Sequence, residues 1–224
     1  MSRKDILLEQ IITEYIKTGL PVGSAFLAVK SELGVSSATI RNDMALLERQ
    51  GYLRQPHTSA GRVPTEKAYK LYLKNLRAKE PKESEKQVFD EIVGRLEKDP
   101  ELLLKNIAKT LALFSGDAVV LSFGGDDVYY TGISNLFGKP EVQEKKEIRE
   151  LSTIVDHLDE VMSRMFNEIS DEPVTYLGRE NPFAKDCATV VVKIGDSEVL
   201  GILGLTRMDY EKNLGFINYL KEIL

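Results

Sequence analysis

Hydrophobic and polar residues alternate with helical spacing along the first part of the chain. An apolar stripe predicts a helix over 3–18, which Gly19 ends and Pro21 prevents from continuing. A second, shorter helix is expected to begin with Ser24 as its N-cap. Gly34 then supplies the turn into a third helix. A short helix, a glycine-containing turn and a capped helix indicate a helix-turn-helix.

The third helix lies within the stretch from Leu33 to Gly51 and has two different faces. Ser36 or Ser37 is expected to cap its start, and Gly51 to end it in the left-handed conformation. At about 100° per residue, one side is apolar and the other is basic, polar or small. The apolar side consists of Ile40, Met44 and Leu47, and the other of Ala38, Arg41, Asn42, Ala45 and Arg49. Arginine and asparagine suit guanine and adenine edges in the major groove, so this pattern predicts a recognition helix. Taken alone, it also fits an ordinary amphipathic surface helix.

After Gly51 the spacing changes to that of short strands. Residues 52–54 and 62–63 are expected to form a hairpin around a turn-rich loop, followed by a helix over 66–79 that Thr65 caps. A hairpin at this position would be a wing that contacts phosphates or the minor groove. Its candidate contacts are His57, Thr58, Ser59 and Arg62. For His57, an exposed loop histidine without a partner is an equally good interpretation.

The rest of the chain combines helical and strand patterns. A polar stretch over 78–85 places a boundary between two domains, 1–79 and 80–224. The predicted elements are a helix pair over 86–114 divided at Asp99–Pro100, strands at 118–123, 128–133, 174–177, 189–194 and 199–205, a long helix at 148–169, and a last helix at 213–224. The pattern indicates an α+β fold, with an antiparallel sheet and flanking helices in the second domain.

Charge is distributed unevenly between the two parts. Residues 1–77 contain 12 Lys and Arg against 7 Asp and Glu, a net charge of +5. The remainder contains 18 basic and 28 acidic residues, a net charge of −10. This asymmetry predicts that only the first part meets a polyanion.

Composition argues against several other classes of protein. A single Cys187 leaves no internal disulfide, and one cysteine with His57 and His157 does not make a cysteine-rich zinc site. Charges within the first ten residues argue against a secretory signal, and no apolar run is long enough to suggest a membrane span. No nucleophile–base pair or phosphate loop is evident. We therefore expect a cytoplasmic protein that is not an enzyme and has no catalytic residues, metal or cofactor.

Several motifs closely resemble the family of the heat-inducible transcription repressor HrcA. They are GLPVGS at 19–24, LGVSSATIRNDM at 33–44 and the run from Gly51 to Thr65 that contains PHTSAGRVPT. In the second domain GISNL at 132–136, GREN at 178–181 and GILGLTRMDY at 201–210 are similar to that family more thinly. The resemblance implies an N-terminal winged helix-turn-helix domain followed by a GAF-like domain.

The resemblance also implies a function. It is that of a dimeric repressor of heat-shock (chaperone) genes, which binds an inverted-repeat operator called CIRCE and whose active state the GroEL chaperonin supports. The residues expected to contact DNA are Ser37, Thr39, Arg41, Asn42, Arg49, His57, Thr58, Ser59 and Arg62.

The chain departs from the family pattern in its middle. HrcA proteins carry a dimerising domain inserted within the GAF-like part, whereas here four residues join Phe123 to Val128, so we infer that the insert is missing. An alternative function is a ligand-responsive winged-helix regulator whose GAF-like domain senses a small molecule. For the polar group at 206–210, we expect a structural role, with Asp209 or Thr206 capping the last helix and Arg207 pairing locally, in preference to a ligand or partner site.

Overall fold

The chain is divided into two units that pack separately. The computed structural model describes residues 2–30, 33–57, 60–96, 98–124, 127–142, 145–195 and 197–224. The units are 1–76 and 77–224, whereas the sequence places the boundary after residue 79. Lys79 belongs with the second unit because its N–H donates to the carbonyl of Glu211 at 2.9 Å.

The first unit consists of helices around a two-stranded hairpin. Its elements are α1 Arg3–Thr18, α2 Ser24–Lys30, α3 Ser37–Arg49, β1 Leu53–Arg54, β2 Val63–Pro64 and α4 Glu66–Lys74. Gly19, with φ 68°, ends α1, and Thr65 caps α4 through its hydroxyl, as the sequence predicts. The apolar side chains of these elements form one core, whose fully buried members include Leu7, Ile11, Ile12, Ile40, Leu53 and Tyr69.

Three expectations for this unit were wrong. Ser24 is the first residue of α2 and not its N-cap, and its hydroxyl lies 3.2 Å from that of Ser37. Strand β2 includes Pro64, which lies opposite Leu53. A two-stranded ladder tolerates a proline because one edge of each strand needs no N–H donor. Helix α4 ends at Lys74, well before residue 79.

The second unit is built on a five-stranded antiparallel sheet. Its helices are α5 Glu83–Leu96, α6 Pro100–Ser115, α7 Ile133–Phe137, α8 Lys145–Asp156, α9 Leu158–Met165 and α10 Tyr210–Ile223. Its strands are β3 Ala118–Ser122, β4 Val128–Thr131, β5 Val174–Leu177, β6 Cys187–Ile194 and β7 Glu198–Leu205. The strand order is β4-β3-β7-β6-β5, with Val120 opposite Tyr130 on one side and Gly201 on the other.

Helices cover both faces of this sheet. On one face, side chains of α8 and α9 such as Leu151, Leu158 and Met162 pack against Val120 and Val191 in one buried cluster. The apolar stripe predicted over 148–169 therefore packs on the sheet.

The other face of the sheet is covered by α6 and α10, and α5 packs on these two helices. Phe89 of α5 lies 5.6 Å from Phe114 of α6 and 6.0 Å from Phe216 of α10, measured between ring centroids. Helix α6 contacts β3, and α10 contacts β6. The second unit is thus a three-layer α+β fold with its core on both sides of the sheet.

Two predictions for the second unit, the strand at 128–133 and the helix at 148–169, need correction. Residues from Ile133 onward form α7 and not the end of a strand, because Gly132 leaves the strand with φ 72°. The helix predicted over 148–169 is two helices that meet at His157, followed by a 3-10 turn at Phe166–Glu168. No proline or glycine marks the break at His157, and the apolar spacing continues through it.

A buried polar network joins separate elements of the second unit. Asp117, just before β3, is 1% exposed. Its carboxylate lies 2.8 Å from the ammonium of Lys139 and accepts from the amide of Asn213 at 3.1 Å. The amide of Asn135 donates to the Asp117 carbonyl at 3.0 Å. These bonds connect the residue before β3 to α7, to the residues that follow it and to α10. Asp117 needs such partners because an unpaired buried charge is costly.

Candidate nucleic-acid interface

Helix α3 presents a basic and polar face to solvent. Ser36 caps it by accepting from the N–H of Thr39 at 3.2 Å, and Gly51 follows it with φ 79°, as predicted. Its apolar stripe is buried through Ile40, Met44 and Leu47. The exposed side chains are Ala38, Arg41, Asn42 and Arg49, while Ala45 is half-buried. Arginine and asparagine donors thus share a face with small side chains that permit close approach.

The two hydroxyl residues proposed at the start of α3 are half-buried and already hydrogen-bonded. The Ser37 hydroxyl lies 3.2 Å from that of Ser24, which links α3 to α2. The Thr39 hydroxyl lies 3.0 Å from that of Ser36. These bonds hold the first turn of α3 in place, and a hydroxyl retains further capacity to donate or accept.

The hairpin is fastened to the segment before α2. Val22 and Arg62 exchange backbone hydrogen bonds of 2.9 and 2.8 Å. Gly61 makes this approach possible, since a Cβ there would lie 2.3 Å from the carbonyl oxygen of Val22. In the hairpin loop, the amide of Gln55 donates to the Ala60 carbonyl at 3.0 Å.

The predicted loop contacts differ in what can be said of them. His57 is exposed, and its carbonyl accepts from the N–H of Ala60 at 2.9 Å. Thr58 and Ser59 lie outside the described residues. Arg54, at the end of β1, is also exposed, although sequence reasoning did not select it.

The guanidinium of Arg62 contacts a carboxylate of α3. Its Nε donates to Oε2 of Glu48 at 2.9 Å, and the Arg62 side chain is only 18% exposed. The other oxygen of Glu48 accepts from the backbone N–H of Gln55 at 3.1 Å. Glu48 therefore joins the end of α3 to the residue after β1 and to the residue before β2.

A second carboxylate of α3 pairs with the start of α1. Asp43 is 8% exposed, and Arg3 donates to it from Nε at 2.9 Å and from Nη2 at 3.3 Å. The sequence gives no sign that Asp43 and Glu48 are paired, because their partners Arg3 and Arg62 are 40 and 14 positions away in other parts of the chain.

The second unit offers little reactive chemistry in the part of the chain that is described. Burial, with a smaller contribution from the Asp186 carboxylate, raises the pKa of the Cys187 thiol to about 12, so it stays protonated near neutral pH. Among the described residues, no group of three or more His, Cys, Asp or Glu side chains could hold a metal ion.

The polar group at 206–210 makes structural contacts. Asp209 caps α10 by accepting from the N–H of Lys212 at 3.2 Å. Arg207 pairs with Glu141, and the Thr206 hydroxyl donates to the carbonyl of Asp186 at 3.0 Å. These contacts agree with the structural role expected for the group. None of the described helices has the length and apolar character needed to cross a membrane.

The fold and the exposed face of α3 define an α+β protein with a candidate nucleic-acid-binding surface in its first unit. Residues 61–214 match the HrcA protein C-terminal domain family. Because the match covers more than half of the chain, the protein belongs to the HrcA family.

Two curated relatives carry the name heat-inducible transcription repressor HrcA. That of Acetivibrio thermocellus is 60% identical over 74 residues, which is 33% of this chain and 21% of the relative. That of Bifidobacterium animalis subsp. lactis is 42% identical over 123 residues, covering 54% of this chain and 33% of the relative. The matched segments thus span a third or less of these relatives' own length.

A solved structure has a similar fold. The crystal structure of a hypothetical protein superposes with a TM-score of 0.76, covering 100% of this chain and 97% of that one. At 17% sequence identity this likeness supports the fold and carries no functional argument.

Proposed function

We propose that this protein is a sequence-specific DNA-binding transcriptional repressor of the HrcA type, acting in the cytoplasm on heat-shock genes. The observation that carries the proposal is the face of α3 on which Arg41, Asn42 and Arg49 are exposed beside Ala38. An α-helix fits the major groove, where arginine pairs with guanine and asparagine with adenine. The family membership and the names of the relatives support the same function.

In this proposal the first unit is a winged helix-turn-helix domain. Helices α2 and α3 form the helix-turn-helix, and the β1–β2 hairpin is the wing. Arg41, Asn42 and Arg49 read or flank bases. Ser37 and Thr39, at the start of α3, contact the DNA backbone, and His57 in the hairpin loop contacts a phosphate. Thr58 and Ser59 stay predictions from the sequence. Arg54 joins the set as a further exposed cation of the hairpin.

We further propose that the protein acts as a homodimer on a CIRCE-type inverted repeat. A twofold protein reads a palindrome because each half-site then meets an identical helix. The GAF-like second unit would regulate this dimer, with GroEL as a partner by family resemblance. Four residues connect Phe123 to Val128, so the dimer must form without an inserted domain at that position.

Quantitative binding to a CIRCE-type repeat and to a shuffled duplex, across a salt series, tests the function. We expect a strong preference for the repeat with two protomers bound per site. Equal and steeply salt-dependent binding to both duplexes would reduce the protein to a basic surface that contacts phosphates.

Arg41→Ala tests the proposed reading of bases. If Arg41 binds a base edge through two donors, its removal should weaken binding to the repeat by about 1–3 kcal/mol and relax preference at one base pair. Lys17→Ala, at an exposed position of another helix, α1, is the control for the lost charge. An equal loss on both duplexes would make Arg41 a phosphate contact.

A further inference from the structure

Two carboxylates lie on the helix that is proposed to enter DNA, where unpaired negative charge would oppose binding. At about 100° per residue, Asp43 and Glu48 are about 140° apart around α3. They flank the buried stripe of Ile40, Met44 and Leu47 from its two sides. Asp43 lies about 160° from Arg41 around the helix, whereas Glu48 lies about 20° from it, seven residues further along and at the edge of the exposed face.

Each carboxylate is bound by an arginine from outside the helix. On one flank Arg3 donates to Asp43 with two nitrogens, at 2.9 and 3.3 Å. On the other flank Arg62 donates to Glu48 at 2.9 Å, and the same carboxylate accepts the N–H of Gln55 at 3.1 Å. Charged hydrogen bonds of this kind are stronger and more directional than neutral ones.

A packed apolar stripe tolerates small rotations of a helix better than polar links do, because hydrophobic attraction is not directional. A side-chain tip lies about 5–6 Å from the helix axis, so a rotation of about 30° about that axis moves it by about 3 Å. That displacement equals the length of a whole hydrogen bond to a base. Two polar links on opposite flanks restrain rotation in both senses.

We propose that Arg3 and Arg62 are positioning residues, which fix the rotation of α3 about its axis through Asp43 and Glu48 and so determine where Arg41 and Asn42 project. The proposal rests on the proposed DNA-binding function and assigns Arg62 a role other than phosphate contact. Arg62 suits this role because its side chain is 18% exposed, whereas Arg41 and Arg49 are exposed.

Because Asp43 and Glu48 are negatively charged, variants that remove them test whether they act through charge or through positioning of α3. Asp43→Ala and Glu48→Ala each remove one negative charge and keep a good helix former, as does the control Glu9→Ala at an exposed position of α1. If only charge mattered, all three variants would bind the repeat and the shuffled duplex more tightly by the same factor, and the preference for the repeat would not change. We expect that Asp43→Ala and Glu48→Ala lower this preference by about fivefold or more, which is the discrimination lost when one two-donor contact to a base is misaligned.

A milder variant and the salt dependence refine this test. Asp43→Asn keeps an oxygen facing Arg3, so its preference should lie between that of the wild type and that of Asp43→Ala. Circular dichroism at the assay temperature establishes that each variant is folded.

Arg3→Gln and Arg62→Gln should lower the preference for the repeat while leaving the salt slope unchanged. A slope reduced by about 1, with equal loss on both duplexes, would make them phosphate contacts and overturn the proposal.

Hydrogen–deuterium exchange of the peptide over residues 37–50 tests the links without DNA. Exchange should accelerate in Asp43→Ala and Glu48→Ala and stay unchanged in Glu9→Ala. If exchange and preference both stay at wild-type values, the links do not position the helix. If the wild type shows no preference for the repeat, the proposed function fails, and exchange alone still decides whether the links hold α3.

Discussion

At the scale of single residues, Gly61 shows how one position controls the hairpin. A Cβ on Gly61 would lie 2.3 Å from the carbonyl oxygen of Val22, at the point where Val22 and Arg62 pair. We expect Gly61→Ala to lower the free energy of unfolding by about 1–3 kcal/mol, because the added methyl group must push the two backbones apart. Thermal or urea unfolding followed by circular dichroism measures this change.

Gly23→Ala is the matched control for Gly61→Ala. It lies in the neighbouring segment, and a Cβ there has no atom within 4 Å. Its free energy of unfolding should stay within about 0.5 kcal/mol of the wild type. Equal stability of the two variants would show that Gly61 is not required for the approach of the hairpin to Val22.

Arg62 shows what residue type alone cannot decide. From the sequence, an arginine in a wing is a candidate phosphate contact. In the structure its Nε donates to Glu48 instead, and that partner lies 14 positions away in another element. Only a tertiary contact distinguishes an arginine that is presented to solvent from one that pairs within the protein.

At the scale of elements, the start of α3 depends on Ser36. Its hydroxyl accepts from the N–H of Thr39 at 3.2 Å. Ser36→Ala should therefore cost about 1 kcal/mol of unfolding free energy. It should also weaken DNA binding, because the first turn that carries Ser37 and Thr39 would fray.

Ser36→Asp separates the cap from its charge. Aspartate caps a helix as well as serine, so stability should be retained. The added negative charge should nevertheless weaken binding to repeat and shuffled duplexes alike. Loss of stability in Ser36→Asp, or unchanged stability in Ser36→Ala, would contradict the capping role.

The predictability of elements followed how local their signals are. Helix α3, with its serine cap, apolar stripe and following glycine, was predicted correctly because all three signals lie within the element. The same holds for α6, where Asp99 caps the helix, Pro100 begins it and Gly116 ends it with φ 71°. The break between α8 and α9 has no such local signal, so the sequence indicated one long helix.

At the scale of the whole molecule, charge and chemistry are divided between the two units. The first unit, residues 1–76, contains 11 Lys and Arg against 7 Asp and Glu, a net charge of +4, and the second contains 19 against 28, a net charge of −9. The overall pI near 5.3 hides this division. A protein with a negative net charge can still bind DNA, because exposed charges that are more than a Debye length of about 8–10 Å from the phosphates are largely screened.

The start of the second unit is fixed by a glycine of its last helix. A Cβ on Gly215 in α10 would lie 1.8 Å from the carbonyl oxygen of Lys79. Gly94 in α5 is also helical, but a Cβ there meets nothing within 4 Å. Gly94→Ala should stabilise the protein by about 0.5–1 kcal/mol, the usual gain in a helix. Gly215→Ala should destabilise it, as measured by thermal unfolding, because residue 79 must move away. The same gain in both variants would show that this approach is unimportant.

Sequence alone is enough to predict the α+β class, the order of most elements, the basic and polar face of α3 and the resemblance to the HrcA family. These follow from periodicity, caps and turns, which act between neighbours in the chain. The pairing of Asp43 with Arg3 and of Glu48 with Arg62, and the burial of Asp117 beside Lys139 and Asn213, are seen only once the chain is folded. Pairing and burial depend on which distant segments of the chain meet. Local spacing does not encode those distances.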